Sequence, residues 1–151
     1  MELIIQKAVE LGVKRLICFS SEFSSAYMNG NKLERLTKVA KESAKQCMRS
    51  VAPVVEYCDT LEGALDAVKT YQNKLFACEF VGEENSFSAL KGSTAIVVGS
   101  EGGFSESELL LARELGFTPV SLGKRILRAE TASVALCSVV MFSLGELGGR
   151  K

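Results

Sequence analysis

The chain has 151 residues, of which 47% are hydrophobic and 24% are charged, and its 18 basic and 18 acidic residues give a net charge of zero. This length and composition are typical of one globular domain that folds alone, and the zero net charge argues against a chain coated with cations for nucleic acid. No apolar run reaches the roughly 20 residues of a membrane-spanning helix, and the N-terminal segment lacks the pattern of a secretory signal, so we expect neither feature.

The first half of the chain is predicted to alternate helices with short strands. Gly12 ends the first helix, Asn31 caps the second, and between them lies the polar loop SEFSSAYMNGN with its Asn-Gly turn signal. Pro53 opens a strand and Thr60 caps the third helix. The predicted elements of this half are a helix over 2–11, a strand over 15–20, a helix from 32 to about 49, a strand over 54–58 and a helix from 61 to about 71.

The second half continues the alternation. The run TAIVVG is apolar without interruption, as expected for a central parallel strand covered on both faces. Ser105 and Glu108 form a capping-box pair at the start of a helix that Gly116 ends. The predicted elements are strands over 74–80, 94–99 and 117–123, a helix over 105–116 and a helix from 131 to about 147. This order predicts an α/β domain with a mostly parallel sheet flanked by helices, in which ligands bind at the carboxyl ends of the strands.

Five cysteines and no histidine restrict the chemistry. The cysteines are widely spaced and never arranged as C-x-x-C, so we predict neither a disulfide framework nor a metal site, and their usage fits a reducing cytoplasm. Cys47 and Cys137 are interpreted as buried small hydrophobic residues, since no histidine is present to activate a thiolate. Cys78 and Glu79 end a predicted strand and, taken alone, are interpreted as a core thiol and an ordinary carboxylate. The remaining cysteines are Cys18 and Cys58.

The segment VVGSEGGFSESE follows the most apolar strand. Its glycines Gly99, Gly102 and Gly103 allow the backbone to turn sharply and to approach a ligand closely. The segment matches neither a Walker loop nor G-x-G-x-x-G, and Glu101 and Glu106 would repel phosphate. It therefore predicts a ligand with a cationic centre or a hydrogen-bonding adenosine rather than a nucleotide triphosphate. The alternative is a glycine-rich turn without a ligand.

The segment LGKRILRAETA places Lys124, Arg125 and Arg128 among leucines and an isoleucine, directly before the apolar segment SVALCSVVMFSLGEL. It offers an apolar wall with free backbone groups, and Glu130 and Thr131 are predicted to cap the next helix. The alternative is that the arginines are solvated and that Glu130 pairs with one of them. That alternative explains the charges but not the burial that the apolar residues imply.

Together, GSEGGFSESE and LGKRILRAETA resemble the motif pair of the RsmE-type ribosomal RNA methyltransferases of the SPOUT superfamily. The resemblance extends to QKAVELGVKRLICFSSEFS, KLERLTKVAKESAKQCMRSVAPVV and CEF, and so covers essentially the whole chain. It implies one SPOUT methyltransferase domain over 1–151 with a C-terminal deep trefoil knot, a rare exception to unthreaded folds. It also implies the cofactor S-adenosylmethionine, a cytoplasmic homodimer packed through the knot helix, and methylation of uridine N3 in small-subunit ribosomal RNA. Full-length members carry an N-terminal PUA-like RNA-binding domain, which we expect this chain to lack.

The resemblance also implies roles for individual residues. Arg128 is the candidate catalytic residue, because it would face the target base, and uracil N3 must lose its proton in a chain without a histidine base. Glu101 and Glu130 are alternative bases that we favour less. The implied cofactor-binding residues are Cys78, Glu79, Gly99, Ser100, Glu101, Gly102, Gly103, Leu122, Gly123, Ile126, Leu127, Arg128, Glu130, Thr131 and Ala132.

The second predicted helix has a basic face. At about 100° per residue, four of its cations share the face opposite its apolar residues. They are Lys38, Lys41, Lys45 and Arg49. A solvated basic face is the alternative, but in combination with the motif pair we favour phosphate contact. The candidate RNA-binding residues are Arg35, Lys38, Lys41, Lys45, Arg49 and Arg125.

Three positions depart from the family pattern. Ser100 replaces the usual proline, Phe23 the usual arginine, and Lys45 the usual glutamate before the matched Gln46. Two other functions stay open: a different SPOUT specificity, such as tRNA or ribose 2′-O methylation, and a non-catalytic RNA-binding dimer of the same fold. The wording RILRAETA argues against the first, and the retained glycines and Arg128 argue against the second.

Overall fold

The computed structural model describes residues 1–24, 28–78 and 90–148. Within these ranges, helices and strands alternate along the chain as predicted. The elements are α1 (Glu2–Glu10), β1 (Arg15–Phe19), α2 (Gly30–Gln46), β2 (Val54–Cys58), α3 (Leu61–Asp66), β3 (Asn73–Ala77), β4 (Thr94–Val97), α4 (Glu106–Glu114), β5 (Thr118–Val120) and α5 (Ala129–Ser143). None of the helices in the described ranges combines the length and the apolar character that a bilayer crossing requires.

The described strands pair in parallel and form two sheets. β1 pairs with β2, and the second sheet has the order β4-β3-β5 with β3 in its centre. In that central strand, Leu75 lies opposite Ile96 of β4 and Thr118 of β5. The predicted α/β class with parallel strands and flanking helices is therefore confirmed. The parallel register also places the carboxyl ends of β3, β4 and β5 at one edge of the sheet.

Successive side chains of β3 point to opposite faces of this sheet, as in any strand. Phe76 packs with residues of α3 and α4, whereas Leu75 packs with Leu136 and Val140 of α5. α5 therefore covers one face of the sheet, and α3 and α4 cover the other. Phe19 of β1 packs against the cluster that contains Phe76, so this cluster joins β1 to the β4-β3-β5 sheet.

The ends of α2 differ from the prediction. Asn29 rather than Asn31 caps the helix, since the Asn29 side chain accepts a hydrogen bond of 2.9 Å from the backbone N–H of Lys32. The helix ends at Gln46 and does not extend to Arg49. It ends early because the following backbone turns into the left-handed conformation.

That left-handed residue is Met48, with a φ of 58°. The N–H groups of Met48 and Arg49 donate to the carbonyl oxygens of Lys45 and Ala44 at 3.2 and 2.8 Å, which is the hydrogen-bond pattern of a Schellman motif. Helices α1, α4 and α5 have glycine at the corresponding position. A residue with a Cβ is strained in this conformation, and the methionine side chain gains little in return because it is 92% exposed.

Replacing Met48 by glycine is expected to raise the free energy of unfolding by about 0.5–1 kcal/mol, because the steric strain of the left-handed conformation is removed. Urea denaturation followed by circular dichroism measures the change. Met48→Ala is the matched control, since it shortens the side chain but keeps the Cβ, and we expect no gain from it. Equal stabilisation by both substitutions would show that the exposed side chain, and not the backbone, is the source of the effect.

Candidate functional site

Three segments with candidate ligand-binding residues lie at one edge of the β4-β3-β5 sheet. Cys78 follows β3, residues 98–105 follow β4, and residues 121–128 follow β5. A hydrogen bond of 2.9 Å from Cys78 N–H to the carbonyl oxygen of Val120 joins the ends of β3 and β5. The fold therefore brings these segments together although they are distant in sequence. Glu79, the other candidate of the first segment, lies outside the described residues.

The β4–α4 loop is a tight turn that requires glycine. Gly103 has a φ of 68°, and its N–H donates to the carbonyl oxygen of Ser100 at 2.9 Å. A Cβ on Gly99 would lie 3.0 Å from the ring of Phe104. That ring packs on Phe76 with a centroid distance of 4.2 Å, which anchors the end of the loop in the core. The geometry of the loop itself thus accounts for two of the glycines.

The β5–α5 loop is largely exposed. Leu122 packs against the core cluster under α5, and the chain then turns at Gly123, which has a φ of 108°. The next three residues are exposed, and Ile126 is 82% exposed, so the burial predicted for the apolar residues of this loop is wrong at that position. Leu127 is half-buried. The loop thus presents an apolar side chain to solvent beside its cations.

α5 begins earlier than predicted. Its first residue is Ala129 and its N-cap is Arg128, which makes no side-chain capping hydrogen bond. Glu130 and Thr131 lie inside the first turn, so the prediction that they cap the helix is wrong. Arg128 is exposed, and its guanidinium forms no hydrogen bond or ion pair with any residue of the described ranges. The guanidinium is therefore available to a ligand.

A cavity of about 1140 Å³ lies between α1, β1, β4 and α5 and reaches this edge at the β4–α4 loop. Of the predicted cofactor-binding residues, Gly99, Ser100, Glu101 and Glu130 line it, whereas Cys78 and the β5–α5 loop do not. Its wall includes Ser100 and Glu101 from the β4–α4 loop and Glu130 and Ser133 from the first turns of α5, and it continues past β1 and β4 toward α1. At the β4–α4 end of the cavity, Glu101 and Glu130 favour a ligand with a cationic centre over a phosphate, whereas the cations of the wall are Lys14, Arg15, Lys32 and Arg49 from other segments. This agrees with the ligand class that the sequence of the β4–α4 loop predicts.

Cys137 lines the same cavity further along α5 and is buried. Burial raises the pKa of its thiol from 9.0 to about 11, because the thiolate is disfavoured away from water. Burial also raises the pKa of the Cys18 thiol, which lies in the wall of the cavity as well. Both thiols behave as buried hydrophobic groups, as predicted for Cys137.

The raised pKa of Cys137 makes stability depend on alkaline pH. The thiol ionises near pH 9 in the unfolded chain and near pH 11 in the folded one, so its contribution is complete below pH 9 and is lost between those values. Cys137→Ala is expected to lose stability less steeply than the parent chain from about pH 9 to about pH 11. Urea denaturation at a series of pH values measures both slopes, and equal slopes would contradict the assignment.

Three of the predicted RNA-binding cations are exposed on the face of α2 opposite its buried residues. They are Lys38, Lys41 and Lys45. Arg35 forms an ion pair of 2.7 Å with Glu2 of α1, and Lys38 lies 4.0 Å from Glu42. Exposed pairs of this kind contribute about 0–1 kcal/mol, so the cations can exchange their partner for a phosphate. Arg125 is exposed in the β5–α5 loop.

Arg49 does not share the α2 face, which is a correction to the prediction. Its Nη1 atom donates hydrogen bonds of 2.8 Å to the carbonyl oxygens of both Val9 and Val13, around the end of α1. The physical reason is the early end of α2, because the turn at Met48 redirects the chain before Arg49. This arginine therefore fastens the end of α1 to the end of α2.

A fourth segment at this edge belongs to the family resemblance, but its contacts with the β4–α4 loop have no signal in the sequence. The loop after β1 contacts the β4–α4 loop, since Ser100 Oγ donates to the carbonyl oxygen of Phe23 at 3.1 Å and the Glu108 carboxylate accepts from the N–H of Glu22 at 2.9 Å. A Cβ on Gly102 would lie 2.7 Å from the Cβ of Phe23. The hydrogen-bonded partners are 77 and 86 residues apart, so no local pattern indicates them.

The sequence matches known proteins over most of its length. Residues 1–141 match the family model of the RNA methyltransferase domain. The ribosomal RNA small subunit methyltransferase E of Mesomycoplasma hyopneumoniae is 36% identical over 138 residues, which cover 89% of this chain and 61% of that protein. The protein of the same name from Bacillus subtilis is 34% identical over 162 residues, covering 99% of this chain and 63% of that protein. The chain thus spans about three fifths of the length of these relatives.

Solved structures share the fold. The ribosomal RNA small subunit methyltransferase E of Neisseria gonorrhoeae, bound to S-adenosyl methionine, has a TM-score of 0.83 and 30% identity, covering 95% of this chain and 61% of that chain. A methyltransferase of Legionella pneumophila, in complex with the bound cofactor SAM, has a TM-score of 0.84 and 27% identity with the same coverage. The chain therefore belongs to the family of RNA methyltransferase domains, and the resemblance to the RsmE-type enzymes that its motifs indicate is confirmed.

Proposed function

We propose that the chain is the catalytic domain of an S-adenosylmethionine-dependent methyltransferase that methylates N3 of a uridine in small-subunit ribosomal RNA. The observation that carries the proposal is the convergence of the segments after β3, β4 and β5 at one sheet edge. A cavity of nucleoside size reaches this edge at the β4–α4 loop and the first turn of α5. The printed names of the relatives, small-subunit ribosomal RNA methyltransferases, support the substrate class.

The residues at this edge fit S-adenosylmethionine. Its sulfonium is a cation, and Glu101 and Glu130 bring carboxylates to the cavity wall. The glycine turn after β4 lets the backbone approach an adenosine, and Leu122 and Leu127 offer apolar surface. When bound, the cofactor supplies an electrophilic methyl group. The proposed binding residues are those that the family resemblance implies in the segments after β3, β4 and β5, except that the side chain of Arg128 is assigned to the target base.

Calorimetric titration with S-adenosylhomocysteine tests this cofactor site. We expect micromolar affinity, which would direct the next step to methylation assays on small-subunit RNA. The absence of heat from a chain whose circular dichroism and melting transition are those of a folded α/β protein would overturn the proposal.

Arg128 is the proposed catalytic residue. Uracil N3 carries a proton between two carbonyl groups, and this proton must leave before or during attack on the methyl group. A guanidinium can donate hydrogen bonds to one or both of these carbonyl oxygens. Such hydrogen bonds stabilise the negative charge that develops on N3 and on the carbonyl oxygens. The chain has no histidine, so positioning and electrostatics supply most of the rate in this account. Glu130 is the less favoured candidate for accepting the proton.

The exposed lysines of α2 are proposed to contact RNA phosphates. Replacing Lys41 by alanine is then expected to weaken RNA binding and to reduce the slope of log affinity against log salt concentration by about 1. Lys69→Ala is the matched control, because Lys69 is an exposed lysine after α3, paired with Asp66, to which we assign no RNA contact. A slope that changes equally in both variants would remove the α2 face from the RNA-binding surface.

The proposed architecture is one methyltransferase domain over 1–151 with a trefoil knot in its last strands and α5, and a homodimer packed through α5. Phe142, in the last turn of α5, is 68% exposed, which supports a partner surface there. Light scattering tests the dimer, and a monomeric mass at micromolar concentration would contradict it.

A further inference from the structure

The loop after β1 is a closed turn that presents Phe23 at its tip. Ser24 N–H donates to the carbonyl oxygen of Ser21 at 3.0 Å, and the hydroxyls of the two serines are 2.8 Å apart. Ser21 N–H also donates to Ser24 Oγ at 3.0 Å. Three hydrogen bonds between the same two residues hold the turn in one shape, with Glu22 and Phe23 between them.

The β4–α4 segment fixes this tip from outside. Glu108 accepts from the N–H of Glu22, and Ser100 donates to the carbonyl oxygen of Phe23, so side chains hold the backbone on both sides of the Phe23 ring. Gly102 lies against the Cβ of Phe23 so closely that a side chain there would collide with it. The backbone of Phe23 is therefore fixed by hydrogen bonds in which its ring takes no part.

The ring itself is left at the surface. Phe23 is 48% exposed, and its ring forms no aromatic or cation contact with any residue of the described ranges. Other phenylalanines at this edge differ, because Phe19 and Phe104 stack on each other and pack against the core. An aromatic residue with a fixed backbone and a half-exposed ring gains little for folding from the exposed part, and a fixed backbone lowers the entropy lost when a ligand covers the ring.

We propose that Phe23 is a stacking platform for an unpaired base of the RNA substrate, and that Glu108 and Ser100 are positioning residues that hold it at the edge of the site. The proposal rests on the proposed function. Bases of single-stranded RNA stack on exposed aromatic side chains, and each such stack strengthens binding by roughly 5-fold to 100-fold. Phe23 stands next to Gly102, at the same edge as the proposed cofactor site, so a base stacked on it lies beside the reacting nucleotide.

Substitution of Phe23 by leucine or by tryptophan distinguishes the stacking of a base on the ring from the packing of the side chain on Gly102. Phe23→Leu keeps the Cβ and Cγ that contact Gly102 but has no aromatic face, whereas Phe23→Trp keeps an aromatic face. Fluorescence anisotropy with a labelled single-stranded RNA of about 12 nucleotides, in saturating S-adenosylhomocysteine, measures affinity. We expect Phe23→Leu to bind RNA at least about fivefold more weakly and Phe23→Trp to bind within about twofold of the parent chain, with unchanged cofactor affinity in both.

The outcomes separate the inference from the function on which it rests. If the parent chain binds cofactor and RNA but Phe23→Leu binds RNA equally well, only the stacking role is overturned. If the parent chain binds neither, the proposed function and the inference both fall. If Phe23→Leu binds polyphosphate as weakly as it binds RNA, relative to the parent chain, the effect is electrostatic. That result would also overturn the stacking role.

Glu108 allows a separate test of positioning. Its second carboxylate oxygen accepts from Ser105 N–H at 2.9 Å, and Ser105 Oγ accepts from Glu108 N–H, which confirms the predicted capping box. Glu108→Gln keeps one acceptor oxygen for the cap but loses the second, which Glu22 N–H requires. We expect weaker RNA binding with unchanged cofactor affinity. Glu114→Gln, an exposed change of the same kind at the other end of α4, is the control and should leave RNA binding unchanged.

A double variant tests whether Glu108 acts through Phe23. If Glu108 acts by positioning Phe23, Glu108→Gln in a Phe23→Leu background costs no further RNA affinity, because the stack is already absent. Additive losses would overturn the positioning role of Glu108 and would leave it as a helix cap alone.

Discussion

Replacing Arg128 by alanine is expected to lower the turnover of RNA methylation by about 100-fold or more, while the affinity for S-adenosylhomocysteine stays within about twofold of that of the parent chain. The reason is that the guanidinium is exposed, free of partners in the described chain and placed at the entry to α5, so its removal disturbs no folded contact. The substitution removes only the proposed hydrogen bonds from the guanidinium to the uracil, which strengthen as negative charge develops on the base. Single-turnover assays and calorimetry measure the two quantities separately.

Lys124→Ala is the matched control for this experiment. Lys124 is an exposed cation of the same loop to which we assign no role, so turnover should stay within about twofold. Arg128→Lys keeps the positive charge but loses the planar pair of donors, and an intermediate rate is expected. Equal losses of turnover and cofactor affinity in Arg128→Ala would remove Arg128 from catalysis and make it a cofactor ligand.

Replacing Phe76 by alanine is expected to lower the free energy of unfolding by about 3–5 kcal/mol, the largest stability effect that we predict. Phe76 is fully buried in the central strand, inside the cluster that joins α3, α4 and β1. Its ring also packs on Phe104, which ends the glycine turn of the site. The cavity left by alanine therefore weakens the core and loosens the β4–α4 loop together, so cofactor affinity should fall as well.

Two variants control for the substitution at Phe76. Phe76→Leu keeps most of the buried volume and should cost about 1–2 kcal/mol. Leu110→Ala, on the exposed side of α4, should change stability by less than about 0.5 kcal/mol. Urea denaturation measures the free energy of unfolding of all three variants, and we expect their m-values to equal that of the parent chain. A cost below that of Leu110→Ala would mean that Phe76 is not at the centre of the core.

Local signals predicted much of the fold. The apolar run of β4, the glycine that ends α1 and the capping box of α4 each depend on residues within a few positions of one another, and each is observed. The order of helices and strands then implies a parallel sheet, and a parallel sheet implies a site at its carboxyl edge. The meeting of the segments after β3, β4 and β5 follows from these steps alone.

The errors and omissions have physical causes too. α2 ends at a left-handed methionine, where sequence patterns expect glycine, so the helix was predicted too long and Arg49 was placed on the wrong surface. α5 starts at a residue whose side chain does not cap it, so its beginning has no signature. The contacts of Phe23 with Ser100 and Gly102 depend on the tertiary fold, which periodicity does not report.

The most direct test of the central claim is nucleoside analysis of small-subunit ribosomal RNA after incubation with the purified chain and S-adenosylmethionine. We expect 3-methyluridine as the methylated nucleoside, and we expect its loss with Arg128→Ala. A ribose 2′-O-methylated nucleoside, or a methyl group on another base, would contradict the proposed specificity. No methylation by a chain that binds both S-adenosylhomocysteine and RNA would contradict catalysis and favour a non-catalytic RNA-binding protein of the same fold.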